Sequence, residues 1–111
     1  MDLLSKKCVP CEGSTKPLNS NEEENLLLQI KDWTLITDRE HRIIKEFQLK
    51  NFVGAVEFVN KIAVIAENEG HHPNIFIHSY NKVNVELFTH AIGGLSENDF
   101  IVAAKIDEIL K

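Results

Sequence analysis

A long helical pattern in the middle of the chain most limits what it can fold into. From Phe52 to Glu69, the residues Phe52, Val56, Val59, Ala63 and Ala66 recur at spacings of three and four, with Val53, Ile62 and Ile65 beside them. That period marks one face of an amphipathic α-helix. Asn51 can cap its start, and Gly70 follows its last turn, where a glycine commonly ends a helix. Two β-prone runs lie on each side: Trp33 to Thr37 and Ile43 to Leu49 before the helix, Ile75 to Tyr80 and Val83 to Thr89 after it. The polar segment Asp38 to His41 suits a hairpin turn in the first pair, and Asn81-Lys82 joins the second.

Two shorter helices complete the pattern. Ser20 stands three residues before Glu23 in a capping-box spacing, and Leu26, Leu27 and Ile30 follow at helical intervals, so a helix runs from about Asn21 to Lys31. After the break at Gly93-Gly94, Ser96 and Asp99 repeat the box, and Phe100 to Leu110 forms an amphipathic last helix. The order α-β-β-α-β-β-α has no internal repeat and lacks the crossover pattern of a parallel sheet. It predicts an α+β fold, a four-stranded antiparallel sheet with three helices packed on one face. In the fourth strand Val83, Val85 and Leu87 alternate toward the core, while Asn84, Glu86 and Phe88 fall on the open face. That face is expected to be wet, with a sheet edge free to pair with a second subunit.

At 111 residues, 43% apolar and 26% charged, the chain has room for one domain. Residues 1–19, with Pro10, Gly13 and Pro17 among small and polar neighbours, read as an irregular leader, a loop or loosely attached arm, and the domain proper as residues 20–111. The net charge of −5 and the lack of a Lys/Arg patch exclude the electrostatic footprint of a nucleic-acid or anionic-membrane binder. No apolar run approaches the roughly 18 residues of a membrane span and no secretory pattern opens the chain, so a cytoplasmic location is expected. Cys8 and Cys11 form a CxxC, too few thiols for a disulfide framework and short of ligands for structural zinc. They read as reduced thiols in a leader that lies away from the site.

The chemistry points to histidine. His71 and His72 fall just beyond the long helix and His90 at the end of the fourth strand, and element ends are where sites are built. Imidazole, with an ordinary pKa of about 6.5, gives or takes a proton near neutral pH, and several together can divide the roles of acid and base. Glu67 stands four residues before His71, a spacing that puts both on one helix face, and the helix C-terminus favours a positive ring. A three-histidine zinc site is the competing reading, but no other pair shows the spacing of a helical zinc motif, and no metal site is assigned. His41 in a turn and His78 on a strand read as structural.

These residues form a longer pattern: Glu67, three residues, His71-His72-Pro73, six residues, Tyr80, nine residues, His90, eight residues, Asp99. With Tyr80-Asn81-Lys82-Val83, Thr89-His90 and Gly94-Leu95-Ser96-Glu97, it resembles the signature of the pterin-4a-carbinolamine dehydratase family, also called the dimerisation-cofactor family, from about Ser20 to the C-terminus. The resemblance implies an α+β fold assembled as a homodimer or homotetramer and working without a cofactor. It implies dehydration of a 4a-hydroxytetrahydropterin, supplied by an aromatic amino acid hydroxylase, to quinonoid dihydropterin and water. The alternative is a non-catalytic pterin-binding or regulatory module of the same fold. Carried over, His71, His72 and His90 match the catalytic histidines and Glu67 their supporting carboxylate. Gly70, Pro73, Phe88, Thr89 and Asp99 are taken as substrate contacts. The six residues between Pro73 and Tyr80, Gly70 before the histidine pair, Ile75 in place of a tryptophan and the cysteine leader make the chain similar to the branch found in plants, protists and some bacteria.

Overall fold

A computed structural model describes residues 2–10 and 15–111. The elements follow in the expected order: α1 (Ser20–Leu27), β1 (Thr34–Ile36), β2 (Arg42–Gln48), α2 (Phe52–Glu69), β3 (Asn74–His78), β4 (Lys82–Leu87) and α3 (Glu97–Glu108). Short 3-10 turns at Leu3–Ser5 and His90–Ile92 are added to them. The four strands form one antiparallel sheet in the order β1-β2-β4-β3. No helix among the described residues is long and apolar enough to cross a membrane.

Alternation along β4 works as read: Val83, Val85 and Leu87 are fully buried, and Asn84 and Glu86 are half-buried on the opposite face. Glu86 pairs there with Arg42 at 3.0 Å and accepts from Asn74 at 2.8 Å, so polar cross-strand contacts cover much of that face. Ser79 and Tyr80, both with positive φ, make the β3–β4 turn, two residues earlier than the Asn81-Lys82 junction expected from sequence, and Lys82 already belongs to β4.

The caps and faces of the helices correct three expectations. Helix α1 is capped by Asn19 and Glu22, not by Ser20 and Glu23: Asn19 Oδ1 accepts from the Glu22 N–H, and Glu22 returns to the Asn19 N–H, each at 2.9 Å. Glu23 cannot cap because it is buried and tied to His41 Nδ1 at 2.8 Å. Helix α2 has the expected ends, with Asn51 accepting from the Gly54 N–H and Gly70 closing it, but its core stripe is Ala55, Phe58, Ile62 and Ala66. Phe52, Val53 and Val56 face solvent instead. Helix α3 is not amphipathic at its centre: Phe100, Ile101, Val102 and Ala103 are all buried, because α2, α1 and the leader's first turn each pack on it.

Nor is the leader a loose arm. Leu3 is buried in the core, and the Leu18 N–H donates to the Leu95 carbonyl at 2.9 Å. Cys11, the second half of the CxxC, lies outside the described residues.

Candidate active site

The C-terminal turn of α2 decides where the two adjacent histidines go. Gly70 takes a left-handed conformation, φ 65° and ψ 30°, which suits a residue without Cβ. The His71 N–H then reaches back to the Ala66 carbonyl at 3.2 Å, a Schellman-type closure, and the chain leaves the helix axis. Helical register therefore stops at residue 70, and the expected Glu67–His71 pairing does not form. His72 Nε2 meets Glu67 Oε2 at 2.6 Å instead, in a pair whose side chains are 60% and 76% exposed.

His71 turns inward. Its Nε2 lies 2.6 Å from Oδ1 of Asp99, which is completely buried. The other Asp99 oxygen accepts from the Thr89 hydroxyl at 2.9 Å and from the Ser96 N–H at 3.0 Å. Since the Thr89 proton goes to Asp99, the Ser96 hydroxyl donates to Thr89 at 2.8 Å. The other neighbours of Asp99 are donors, so His71 Nε2 is assigned as a donor to it as well, and Nδ1 is the ring nitrogen left for a ligand. A carboxylate that fixes the tautomer and angle of an imidazole is the usual support for a histidine that moves protons.

His90 comes from the segment after β4. Strand β4 ends at Leu87; Thr89 then bridges to Gly94, and His90 opens the 3-10 turn rather than ending the strand. Its ring packs against Phe88, centroids 4.3 Å apart at 52°, and the residue is exposed.

These groups border a cleft of 560 Å³, inside the range of roughly 300–1,000 Å³ typical of small-molecule sites. The end of α2 contributes Glu69, Gly70, His71 and His72, and the segment after β4 contributes Phe88, Thr89, His90 and Ala91. The third wall was not anticipated: Cys8, Val9 and Pro10 of the leader, with Asn98 of α3. The expectation that the leader lies away from the site therefore fails for Cys8. Burial pushes its thiol up to about 12, with the neighbouring Glu69 carboxylate adding to the rise, so it stays a neutral S–H. Burial alone would raise the Glu69 carboxyl as well, but the Cys8 N–H at 2.9 Å and the Lys105 ammonium at 2.6 Å hold it below the ordinary glutamate value.

Of the residues singled out from sequence, His71, His72, His90, Gly70, Phe88 and Thr89 line the cleft. Asp99 is fully buried and Glu67 stands outside the lining; each touches a histidine of the cleft, Asp99 at His71 and Glu67 at His72. Pro73, half-buried, is not part of the lining. Among the described residues no group of three His, Cys, Asp or Glu side chains is arranged to hold a metal ion. His41 and His78 lie elsewhere, each paired with a glutamate, Glu23 and Glu46.

Comparison with known proteins bears on the family and the fold. The profile of the family described as Pterin 4 alpha carbinolamine dehydratase matches residues 16–109. A relative from Nitrosomonas eutropha that carries the dehydratase name provisionally is 48% identical over 109 residues, covering 98% of this chain and 94% of its own. The mitochondrial pterin-4-alpha-carbinolamine dehydratase 2 of Arabidopsis thaliana is 41% identical over 110 residues, 97% of this chain and 59% of the plant protein. Among solved structures, a transcriptional coactivator/pterin dehydratase of Brucella melitensis superposes with a TM-score of 0.79 at 33% identity, over 86% of this chain and 100% of that one. A pterin dehydratase-like RuBisCO assembly factor of the alpha-carboxysome shares the fold, with a TM-score of 0.60 at 24% identity over 70% and 88% of the two chains. With its signature histidines gathered around one cleft and a family profile spanning all but its ends, the chain belongs to the pterin-4α-carbinolamine dehydratase family.

Proposed function

We propose that the protein dehydrates a 4a-hydroxytetrahydropterin to quinonoid dihydropterin and water. The observation that carries this reading is a pair of unlike imidazoles on one cleft: His71, held by buried Asp99 through Nε2 with Nδ1 left for a ligand, and His90, exposed on the segment after β4. The reaction needs two proton movements. The C4a–O bond breaks as its oxygen takes a proton and leaves as water, and the N5–H proton is lost as the C4a–N5 double bond forms. His71 Nδ1 takes the N5 proton, and His90, as imidazolium, donates a proton to the leaving C4a hydroxyl. Solvent then returns each ring to its starting state. His72, held by Glu67, binds the pterin and does not transfer protons.

Assembly as a homodimer or homotetramer is part of the proposal, and the exposed Phe52, Val53, Val56 and Val64 of α2 offer apolar surface for it. So is supply of substrate by an aromatic amino acid hydroxylase. The deciding experiment follows the decay of chemically generated 4a-hydroxytetrahydropterin with and without protein. Acceleration that grows with protein concentration supports the enzyme. An unchanged decay alongside measurable pterin binding would leave a binding module, and the catalytic reading would be wrong.

A further inference from the structure

The third wall of the cleft is held with unusual care. Asn98, 4% exposed in the first turn of α3, clasps Val9 from both sides: its Oδ1 accepts the Val9 N–H at 3.0 Å and its Nδ2 donates to the Val9 carbonyl at 2.6 Å. One residue earlier, the Cys8 N–H donates to Glu69 Oε1, and the Cys8 thiol points to the Asn98 carbonyl at 3.6 Å. Two residues earlier again, the Lys6 carbonyl accepts from Lys105 at 2.8 Å, and the same ammonium pairs with Glu69. Lys6 itself pairs with Glu97 at 2.6 Å.

Glu69 takes up the N–H of Cys8 and Asn98 both backbone groups of Val9, so these amides are already engaged and what the two residues can offer a ligand in the cleft is their side chains. Val9 nevertheless stays 65% exposed. A fastening meant only to anchor the terminus would bury that side chain, as it buries Leu3. Here a buried asparagine and an ion pair fix an exposed aliphatic residue and a proline on the wall of a cleft whose other walls carry the histidines. A flat ring lying between would be covered on one face by rigid apolar surface.

We infer that Val9 and Pro10 form the platform on which the ring of the substrate lies, and that Asn98 is the residue that positions it. This rests on the dehydratase reading of the cleft. The platform acts on binding and leaves proton transfer to the histidines.

The test uses the full-length protein, with fluorescence titration of 7,8-dihydropterin for affinity and dehydration kinetics for KM and kcat. Asn98→Ala releases the strap, and the expected result is a rise in Kd and KM of about tenfold or more with kcat changed by less than about threefold. Val9→Ala keeps the clasp, which binds only backbone, and removes apolar surface; KM rises by about threefold to tenfold and melting is unaltered. Val9→Leu, which keeps the apolar surface, keeps the wild-type KM within about twofold. If Asn98→Ala loses thermal stability while both it and Val9→Ala keep the wild-type Kd and KM, the strap is only an anchor and the inference is overturned. If Asn98→Ala fails to fold, the Val9 pair decides alone. A wild-type protein that neither binds the pterin nor speeds dehydration refutes the dehydratase reading and the platform with it, an outcome visible before any variant is made.

Discussion

The last turn of α2 sends one pair of groups inward and another outward, and the two sides work differently. Inward, His71 meets a fully buried Asp99, and Glu69, 7% exposed, is shared between Lys105 and the leader. Outward, His72 and Glu67 sit at the same 2.6 Å separation in open solvent. Equal distances here do not mean equal strength. Water screens the exposed pair and leaves it worth roughly 0–1 kcal/mol, whereas the inward contacts have no solvent to replace them and are fixed further by Thr89 and Ser96. The buried contact fixes His71 more firmly than the exposed one fixes His72, which suits the proton-transfer and binding roles proposed for them.

The sharpest way to break this contrast is to alter the inner ring. His71→Ala is expected to lower kcat by about 10²–10⁴, the ceiling for a fully used acid or base, read from steady-state dehydration after subtracting the spontaneous rate. If turnover survives in both this variant and His71→Ala/His90→Ala, the inward histidine is not the working one. Asp99→Asn keeps the shape but disturbs the tautomer, and kcat should fall by about 10–100-fold, as for partners that orient an imidazole. It also weakens the start of α3, at a cost of about 1 kcal/mol in urea melts.

Glu69 extends the contrast to stability. Its carboxyl is held below its ordinary value, so the stability it confers is present above the unfolded value of about 4.3 and is lost as pH falls through the lower folded value. Glu69→Gln should therefore destabilise by about 1.5–3 kcal/mol near neutral pH, with the gap to wild type closing under acid. Urea melts from neutral to acid pH check this; a pH-independent gap would show that charge is not what matters.

The outward side should respond weakly. His72→Ala is expected to raise KM by about threefold to tenfold with kcat little changed, and a large fall in kcat would mean that the exposed ring also moves protons. The smallest effect belongs to Cys8→Ser, within about twofold in turnover, because the thiol is held neutral and a hydroxyl can also donate to the Asn98 carbonyl. Alkylation-sensitive turnover that Cys8→Ser abolishes would contradict this.

Local signals were legible and long-range ones were not. Asn51 and Gly70 mark the ends of α2 because capping is decided by neighbours in sequence. The stripe of α2 that enters the core was read correctly at Ile62 and Ala66 and missed at Ala55 and Phe58, since Val53, Val56 and Val64 make the helix apolar on several sides and only packing against the sheet and α3 selects among them. The capping box read at Ser20 and Glu23 lies one residue earlier, at Asn19 and Glu22, because His41, 18 positions away, claims Glu23. Likewise, the Glu67–His71 spacing holds only while the helix continues, and Gly70 stops it one residue too soon. The histidines themselves were found from their pattern. The Cys8–Pro10 wall was not, because its fastenings to Glu69 and Asn98 span 61 and 89 positions and leave no periodic trace.

Asp99 has one more consequence, in the order of folding. A single carboxylate begins α3, bonding the Ser96 N–H, and also holds His71 at the end of α2. Until α3 docks, neither the ring nor the Thr89 hydroxyl has its partner, so an otherwise collapsed chain would be inactive. Regain of turnover after dilution from denaturant then works as a clock for the docking of this one helix. It should run in step with burial of Phe100 and lag behind the β2–β4 pairing wherever the sheet forms first.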